Sequence, residues 1–95
     1  MPTVQYGDFE WDAAKAASNL RKHGVSFEEA TTVFDDPDAL DAPDLHVPGR
    51  FVIIGRSAHV RILFVVHAER GERIRVVSAR RASPAQRRKY DESID

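Results

Sequence analysis

Residues 73–81, RIRVVSARR, decide the central element of the fold and raise a question about charge. Arginines at positions 73 and 75 alternate with Ile74 and Val76, and this period of two predicts a β-strand over residues 73–80. The strand and the residues just beyond it are rich in arginine, although the chain has 14 Lys and Arg against 15 Asp and Glu. Such crowding in a slightly acidic chain indicates a local anion-binding surface.

Two further strands precede this segment, over residues 50–56 and 60–69. The short turn around Arg70-Gly71 makes the last two strands an antiparallel hairpin. With an even loop, Ala68 pairs with Arg73, and side chains directly opposite each other share one face of the sheet. This register predicts one face with four polar side chains and the arginines at 73 and 75 on the other. The four are Arg61, His67, Ser78 and Arg80.

Two helices are predicted before the strands. Asp12 is an N-cap for the first helix, whose alanines and leucine recur at helical spacing until Gly24 ends it. Ser26 opens the second helix with the capping box SFEE, and that helix must end before Pro37. Trp11, just before the first helix, is interpreted as a core residue.

A third helix follows the strands. The capping box SPAQ at residues 83–86 has proline at the first helical position and opens a short basic helix towards Tyr90. Residues 37–49 are rich in proline and aspartate, so they form a loop with at most a ragged edge strand near Ala39-Leu40.

This order of elements predicts an α+β fold in one domain over residues 1–95. It has two N-terminal helices, an antiparallel sheet of three or four strands and a short C-terminal helix. Apolar residues are 42% and charged residues 31%, which is typical of a soluble globular protein, and the absence of cysteine excludes disulfides and thiolate zinc sites. No apolar leader or membrane-length run is present, so we expect a cytoplasmic protein without a membrane partner.

The charges are distributed unevenly along the chain. Residues 1–48 hold three basic and ten acidic residues, a balance of −7, whereas residues 49–95 hold eleven and five, a balance of +6. The basic half indicates a surface for an anionic ligand. The alternative is that the two halves neutralise each other across the fold.

Arginines beside a serine suit phosphate recognition, because guanidinium groups match phosphate oxygens and always stay charged. The basic surface extends from Arg80 to Lys89. A second polar group lies on one stripe of the first helix: Lys15, Asn19, Lys22 and His23. The alternative is that both groups are solvated faces or pair with the acidic loop.

Arginine does not accept a proton, so RNA cleavage by 2′-hydroxyl attack needs another group as base or acid. His67 and His23 titrate in the required range, although a single histidine on a strand is more often a packing residue. Tyr90 either stacks on a base, donates a proton or anchors the last helix to the sheet. The histidines show no metal-ligand spacing and no cofactor motif is present, so neither a metal nor a cofactor is expected.

The segments FEWDAAKAASNLRKHGVSFEEATTVFDDP (9–37) and RFVIIGRSAHVRILFVVHAERGERIRVVSARRAS (50–83) resemble the BrnT family of toxins, also called DUF497. The resemblance extends over nearly the whole chain, and its motifs KHGVSFEEA and IRVVSARRA are specific. It implies a compact fold similar to RelE and ParE toxins. It also implies a type II toxin that cleaves RNA without a metal and inhibits translation.

The resemblance also implies partners: an RNA substrate and a BrnA-like ribbon-helix-helix antitoxin, with operator DNA bound only through the toxin–antitoxin complex. The family's polar motif positions correspond here to Lys22, His23, Arg61, His67, Arg75, Ser78, Arg80 and Tyr90. Together with the basic surface, they predict a catalytic group of Arg61, His67, Ser78, Arg80 and Tyr90. The predicted RNA contacts are Lys22, His23, Arg75, Arg81, Arg87, Arg88 and Lys89.

Two other functions stay open at this point. A non-catalytic module of the same fold would bind its antitoxin and act in operon autoregulation. A ParE-like toxin would act on DNA gyrase instead of RNA, because fold alone does not determine the target.

Overall fold

The computed structural model describes residues 2–94, which form one six-stranded sheet and three α-helices. In chain order these are β1 (Thr3–Tyr6), β2 (Phe9–Asp12), α1 (Ala13–His23), α2 (Phe27–Thr32), β3 (Leu40–Pro43), β4 (Arg50–Arg56), β5 (Ile62–Arg70), β6 (Arg73–Arg81) and α3 (Pro84–Ile94). The strand order in the sheet is β1-β2-β6-β5-β4-β3. The sheet is mixed, because β2 runs parallel to β6 while the other pairs are antiparallel.

The predicted α+β fold is confirmed, but the expected sheet of three or four antiparallel strands is wrong. The chain begins with a hairpin, β1–β2, whose two-residue loop is Gly7-Asp8, with Gly7 at φ 58°. Each strand of this hairpin has four residues, too few for a visible alternation in the sequence. The helices therefore follow a hairpin, and the observed arrangement differs from the expected RelE- and ParE-like one in this respect.

The predicted starts of all three helices and the end of α1 are confirmed, whereas α3 continues past Tyr90 to Ile94. The Asp12 carboxylate accepts a hydrogen bond from the Lys15 backbone N–H at 2.9 Å, and Gly24 ends α1 in the left-handed region at φ 66°. The capping box of α3 closes in both directions: Gln86 Oε1 accepts from the Ser83 N–H at 2.9 Å, and Ser83 Oγ accepts from the Gln86 N–H at 3.2 Å.

The core lies between the sheet and the first two helices. Trp11, Phe27, Val65 and Val76 are buried there, so Trp11 is a core residue as predicted. The other face of the sheet carries α3. Ile53 and Leu63 face the core, so the adjacent Val52 and Phe64 point to the opposite face, where they line a groove together with Lys89 of α3.

The predicted register of the β5–β6 hairpin is wrong. The loop is the two-residue Gly71-Glu72, so Arg70 pairs with Arg73, and a bulge between Val66 and His67 shifts the register farther along. Phe64 consequently faces Arg80, Val66 faces Ser78 and His67 faces Val76. A one-residue shift moves a side chain to the other face of a sheet, so the four polar residues expected on one face are separated.

The edge strand predicted near Ala39-Leu40 is β3, which pairs with β4. Within residues 2–94, no helix has both the length and the apolar composition needed to cross a membrane.

Candidate active site

A cationic cleft of about 460 Å³ lies where the ends of β5, β6 and α3 meet. Three of the predicted site residues line it, namely Arg61, Arg81 and Arg87, together with Val60, Ile62 and Ala82. Their positions follow from the backbone: the Ala82 N–H donates to the Ile62 carbonyl at 2.9 Å, and the cap of α3 fixes its first turn. The cleft thus collects guanidinium groups from the loop before β5, from the end of β6 and from α3.

Arg61 is held in the cleft by a buried carboxylate. Its Nε donates to Oε2 of Glu29 at 2.9 Å, its Nη2 donates to Oε1 of the same residue, and Nη2 also donates to the Gly24 carbonyl at 3.0 Å. Glu29 is only 5% exposed. The hydrogen bonds from Arg61 lower the pKa of Glu29 against the opposing effect of burial, so the carboxylate is ionised and the guanidinium is fixed.

The loop between β4 and β5, residues 57–61, adds more groups to this carboxylate. Ser57 Oγ donates to Glu29 Oε2 at 2.7 Å, and Nδ1 of His59 lies 3.4 Å from Oε1. Within the loop, Val60 has φ 61°, and it alone among the non-glycine residues from 2 to 94 has a positive φ. Glu29, Ser57, His59 and Val60 were not predicted from the sequence as members of the site.

The SFEE pattern predicts a capping role for Glu29, and the structure gives its carboxylate a different one. The glutamate of the SFEE capping box does not close the box, because Ser26 Oγ accepts from the Glu29 N–H at 3.0 Å while the Glu29 carboxylate bonds elsewhere. A capping-box carboxylate normally accepts a hydrogen bond from the backbone N–H of its own N-cap residue. The partners of the Glu29 carboxylate, Ser57 and Arg61, lie 28 and 32 residues farther along the chain, so no local sequence pattern could predict them.

Three other predicted residues meet in a second, smaller cleft of about 210 Å³ between α1 and β6. Lys22, His23 and Ser78 line it, with Lys15, Ser18, Asn19 and Val77. The predicted stripe of Lys15, Asn19, Lys22 and His23 thus lines one cleft, although Asn19 itself has a structural role. Asn19 is buried and ties α1 to β6, since it donates to the Ala79 carbonyl at 2.7 Å and accepts from the Ala79 N–H at 3.1 Å.

Arg80 and Arg75 lie apart from both clefts. The Arg80 guanidinium lies 4.5 Å from the centre of the Phe64 ring and donates to Gln86 Oε1 at 3.1 Å. Arg75 donates to the Glu10 carboxylate at 2.6 Å. The two halves of the chain therefore neutralise each other in part, through the Arg75–Glu10 and Arg61–Glu29 pairs, as the alternative interpretation of the charge map had it.

His67 is in the core, on the sheet face opposite to that of Ser78 and Arg80. It is 5% exposed, packs edge-on against Phe34 and stacks on Phe51. Its Nε2 lies 3.3 Å from Asp41 Oδ1, but neither ring nitrogen makes a hydrogen bond to residues 2–94. Burial lowers the pKa of His67, although the nearby Asp41 carboxylate acts in the opposite direction. The imidazole is therefore neutral at pH 7.

Tyr90 is likewise buried, at 1% exposure, and its hydroxyl donates to Asp36 Oδ2 at 2.6 Å. Burial and this hydrogen bond raise the pKa of Tyr90 to about 12. Tyr90 therefore ties α3 to Asp36, whose carboxylate also accepts from the Arg56 N–H of β4 at 2.8 Å. Arg88 and Lys89 are exposed on the same helix.

The part of the chain that the structure describes brings no three His, Cys, Asp or Glu side chains together as a metal-binding group. The larger cleft itself offers fixed positive charge, and behind Arg61 lie the buried Glu29 carboxylate and the exposed His59 imidazole.

Comparison with known proteins gives a family for this arrangement. The family described as "Ribonuclease toxin, BrnT, of type II toxin-antitoxin system" matches residues 11–86. Among solved structures, the chain is similar to the Brucella abortus ribonuclease toxin BrnT, known from a crystal structure at 1.1 Å resolution. The two share 28% sequence identity at a TM-score of 0.64, over 77% of this chain and 92% of that one. No curated protein sequence matches the chain.

The fold and the matched motifs define a toxin domain of a type II toxin–antitoxin system. The chain belongs to the BrnT family of ribonuclease toxins, as the sequence resemblance predicted.

Proposed function

We propose that this protein is an endoribonuclease that cleaves RNA without a metal ion, inhibits translation and is neutralised by a BrnA-like antitoxin. The observation that carries the proposal is the cleft of Arg61, Arg81 and Arg87 in a member of a ribonuclease toxin family. Cleavage by attack of the 2′-hydroxyl needs no metal if fixed cations stabilise the charge that develops on the phosphorus oxygens.

The scissile phosphate binds in this proposal between Arg81 and Arg87. Among residues 2–94, neither of these arginines has a carboxylate within salt-bridge distance, so their charge is available to a ligand. Arg61 is committed to Glu29 and contributes a fixed rather than a mobile charge. A guanidinium that is already oriented loses little conformational entropy when the phosphate arrives.

The second cleft is assigned to another nucleotide of the same RNA strand. The two clefts are adjacent to the same strand, because Ser78 of the second cleft and Arg81 of the first both belong to β6. Lys22 and His23 of the second cleft are available to a neighbouring phosphate. The exposed Arg88 and Lys89 extend the basic surface. The buried His67 and Tyr90 are assigned structural roles. Arg75 and Arg80 are also assigned structural roles, through the Glu10 carboxylate and through Phe64 and Gln86, respectively.

The antitoxin is proposed to bind the sheet face that α3 leaves partly open. An apolar groove of about 370 Å³ lies there, lined by residues that include Leu45, Val52, Phe64 and Lys89, and Leu45 is 93% exposed. Lys89 and Asp44 line this groove, and the Arg80 guanidinium lies over the Phe64 ring beside it. An acidic segment with apolar side chains fits both features, as expected for a disordered antitoxin region that folds on binding.

Incubation of a labelled single-stranded RNA with the purified protein in EDTA tests the proposed activity. The wild type is expected to cleave, and the variant Arg81→Glu/Arg87→Glu is expected to lose both cleavage and growth arrest. Arg21→Glu, an exposed arginine of α1 outside both clefts, is the matched control. Loss of cleavage in EDTA with recovery in magnesium would overturn metal independence. Growth arrest without new RNA ends would favour a gyrase-directed toxin. Antitoxin binding without growth arrest would favour a non-catalytic module.

A further inference from the structure

We propose that His59 is the general base of the RNA cleavage, positioned by the buried carboxylate of Glu29 beside the cationic cleft. This inference rests on the proposed ribonuclease function and adds to it the group that moves the proton. Arginine cannot do so, because it stays charged at every relevant pH. Imidazole is the side chain that titrates near neutrality, and His59 is next to Val60 and Arg61, which line the cleft.

The geometry brings imidazole and guanidinium to one oxygen atom. Glu29 Oε1 lies 3.4 Å from Nδ1 of His59 and accepts a hydrogen bond from Nη2 of Arg61. Arg61 is part of the cleft wall, so the imidazole is separated from that wall by a single shared carboxylate oxygen. The side chain of His59 is 71% exposed and that of Glu29 is 3% exposed, which leaves the far ring nitrogen open to a substrate.

The carboxylate determines which ring nitrogen acts. An ionised carboxylate facing Nδ1 favours the tautomer with its proton on Nδ1, which leaves a lone pair on Nε2. The hydrogen bonds of Arg61 lower the pKa of Glu29 and so keep it ionised, in agreement with this assignment. The contact of 3.4 Å is longer than a hydrogen bond, and catalytic contacts of this kind commonly shorten when substrate binds.

The step balances as a transesterification. Nε2 of neutral His59 takes the proton of the 2′-hydroxyl, and the electron pair of the 2′-oxygen forms a bond to phosphorus. The bond from phosphorus to the 5′-oxygen breaks with its electron pair on that oxygen, which takes a proton from water. The hydroxide formed then takes the proton from the imidazolium and restores His59. The products are a 2′,3′-cyclic phosphate and a 5′-hydroxyl end, and the arginines stabilise the charged intermediate.

A strained turn supports the placement of His59. Val60 has φ 61°, which is uncommon for a β-branched residue, and its side chain is 75% exposed, so no burial compensates for the strain. Two hydrogen bonds close the turn, from the Ser57 N–H to the Arg61 carbonyl at 2.8 Å and from the Val60 N–H to the Ser57 carbonyl at 2.9 Å. Strain held in this way is typical of functional sites. Here it directs His59 and Arg61 towards the same carboxylate.

The first test is the variant His59→Gln, with His46→Gln, an exposed histidine outside both clefts, as the matched control. Purified His59→Gln is expected to cleave RNA about 10²–10⁴-fold more slowly than wild type, with unchanged unfolding. His46→Gln is expected to cleave at the wild-type rate. The wild-type rate is expected to fall in acid, because general-base catalysis needs a neutral base, and this acid limb should be absent in His59→Gln. The charged groups that face His59 are Glu29 and, through the shared carboxylate oxygen, Arg61. Equal rates for wild type and His59→Gln overturn the inference while leaving the proposed function intact.

The second test does not depend on activity. Nitrogen-15 NMR of the full chain at pH 8 is expected to show His59 protonated on Nδ1, and Glu29→Gln is expected to shift the proton to Nε2. An Nε2-protonated ring in the wild type overturns the inference even if RNA is cleaved. A wild type that cleaves no RNA overturns the proposed function, and the role of His59 as its base with it.

Discussion

The guanidinium of Arg61 bonds both carboxylate oxygens of Glu29, a residue 32 positions earlier in the chain that is almost completely buried. This pair joins α2 to the start of β5, and both residues contact the loop that carries His59. A buried ion pair of this kind contributes little net stability compared with apolar packing, but removal of one partner leaves a charge without compensation. Its position at the edge of the cationic cleft indicates a role in fixing the site.

Glu29→Gln is expected to lower the free energy of unfolding at pH 7 by about 1–3 kcal/mol, because Arg61 loses a charged acceptor. The pKa of Glu29 is lowered in the folded state, chiefly by the hydrogen bonds of Arg61, from its ordinary value of 4.5. Its contribution is therefore complete above pH 4.5 and is lost as the pH falls through the folded-state value. Urea unfolding at pH 7 and pH 3 should show the difference from wild type shrinking in acid. Glu28→Gln, the exposed neighbour, should show no such difference at either pH.

Val60→Asn is expected to stabilise the fold by about 1 kcal/mol, because asparagine adopts a positive φ at lower cost than a β-branched residue. Val60→Ala keeps the Cβ atom and should gain less. Urea unfolding of the three proteins measures the effect. A loss of stability in Val60→Asn would mean that the turn is not strained in solution.

His67→Phe is expected to change how stability depends on pH. Burial lowers the pKa of His67 below its ordinary 6.5, so the unfolded chain binds this proton first as the pH falls. Wild-type stability should consequently decline from about pH 6.5 downwards, until the folded protein also takes the proton. Phenylalanine fits between Phe34 and Phe51 without a titrating group, so thermal unfolding of the variant should show a flatter profile over the same range. Equal slopes in both proteins would show that His67 stays solvated.

Tyr90→Phe separates an anchoring role from a catalytic one. Loss of the hydroxyl leaves Asp36 without a hydrogen bond of 2.6 Å, which should cost about 1–2 kcal/mol of stability. The cleavage rate per folded molecule is expected to stay near the wild-type value, because the ring is buried away from the cleft. Tyr6→Phe, an exposed tyrosine, is the stability control. Loss of cleavage in a fully stable Tyr90→Phe would assign the residue to catalysis after all.

The features that the sequence predicted are those set by neighbouring residues. The N-cap at Asp12, the left-handed Gly24 and the reciprocal cap of α3 each depend on contacts within a few positions, so a local pattern contains them. The bulge next to Val77 and the parallel pairing of Phe9 with Ile74 depend on contacts between distant segments. Neither leaves a periodic signal in the sequence.

The candidate site was predicted in the same partial way. Arg61, Arg81 and Arg87 were recognised by charge, and the structure brings them into one cleft. The expected grouping with His67 rested on the register, and a single bulged residue in β6 was enough to put Ser78 and Arg80 on the opposite face. His59 was not predicted as a site residue, because its proposed role depends on contact with Glu29, which is far away in the sequence and close in the fold.

The antitoxin contact provides the last prediction. Lys89 lines the groove together with Phe64 and Val52, and the Arg80 guanidinium lies over the Phe64 ring, so a bound acidic segment gains both ion pairs and apolar burial. Salt weakens the ion pairs but not the apolar contacts, so the dissociation constant should rise only partly between low and high salt. Hydrogen exchange of the complex should show new protection within residues 73–89. The substitution Phe64→Ala should weaken binding at every salt concentration, whereas Lys89→Ala should weaken it mainly at low salt. Protection confined to residues 9–36, with 73–89 still exposed, would show that neutralisation occurs at another surface.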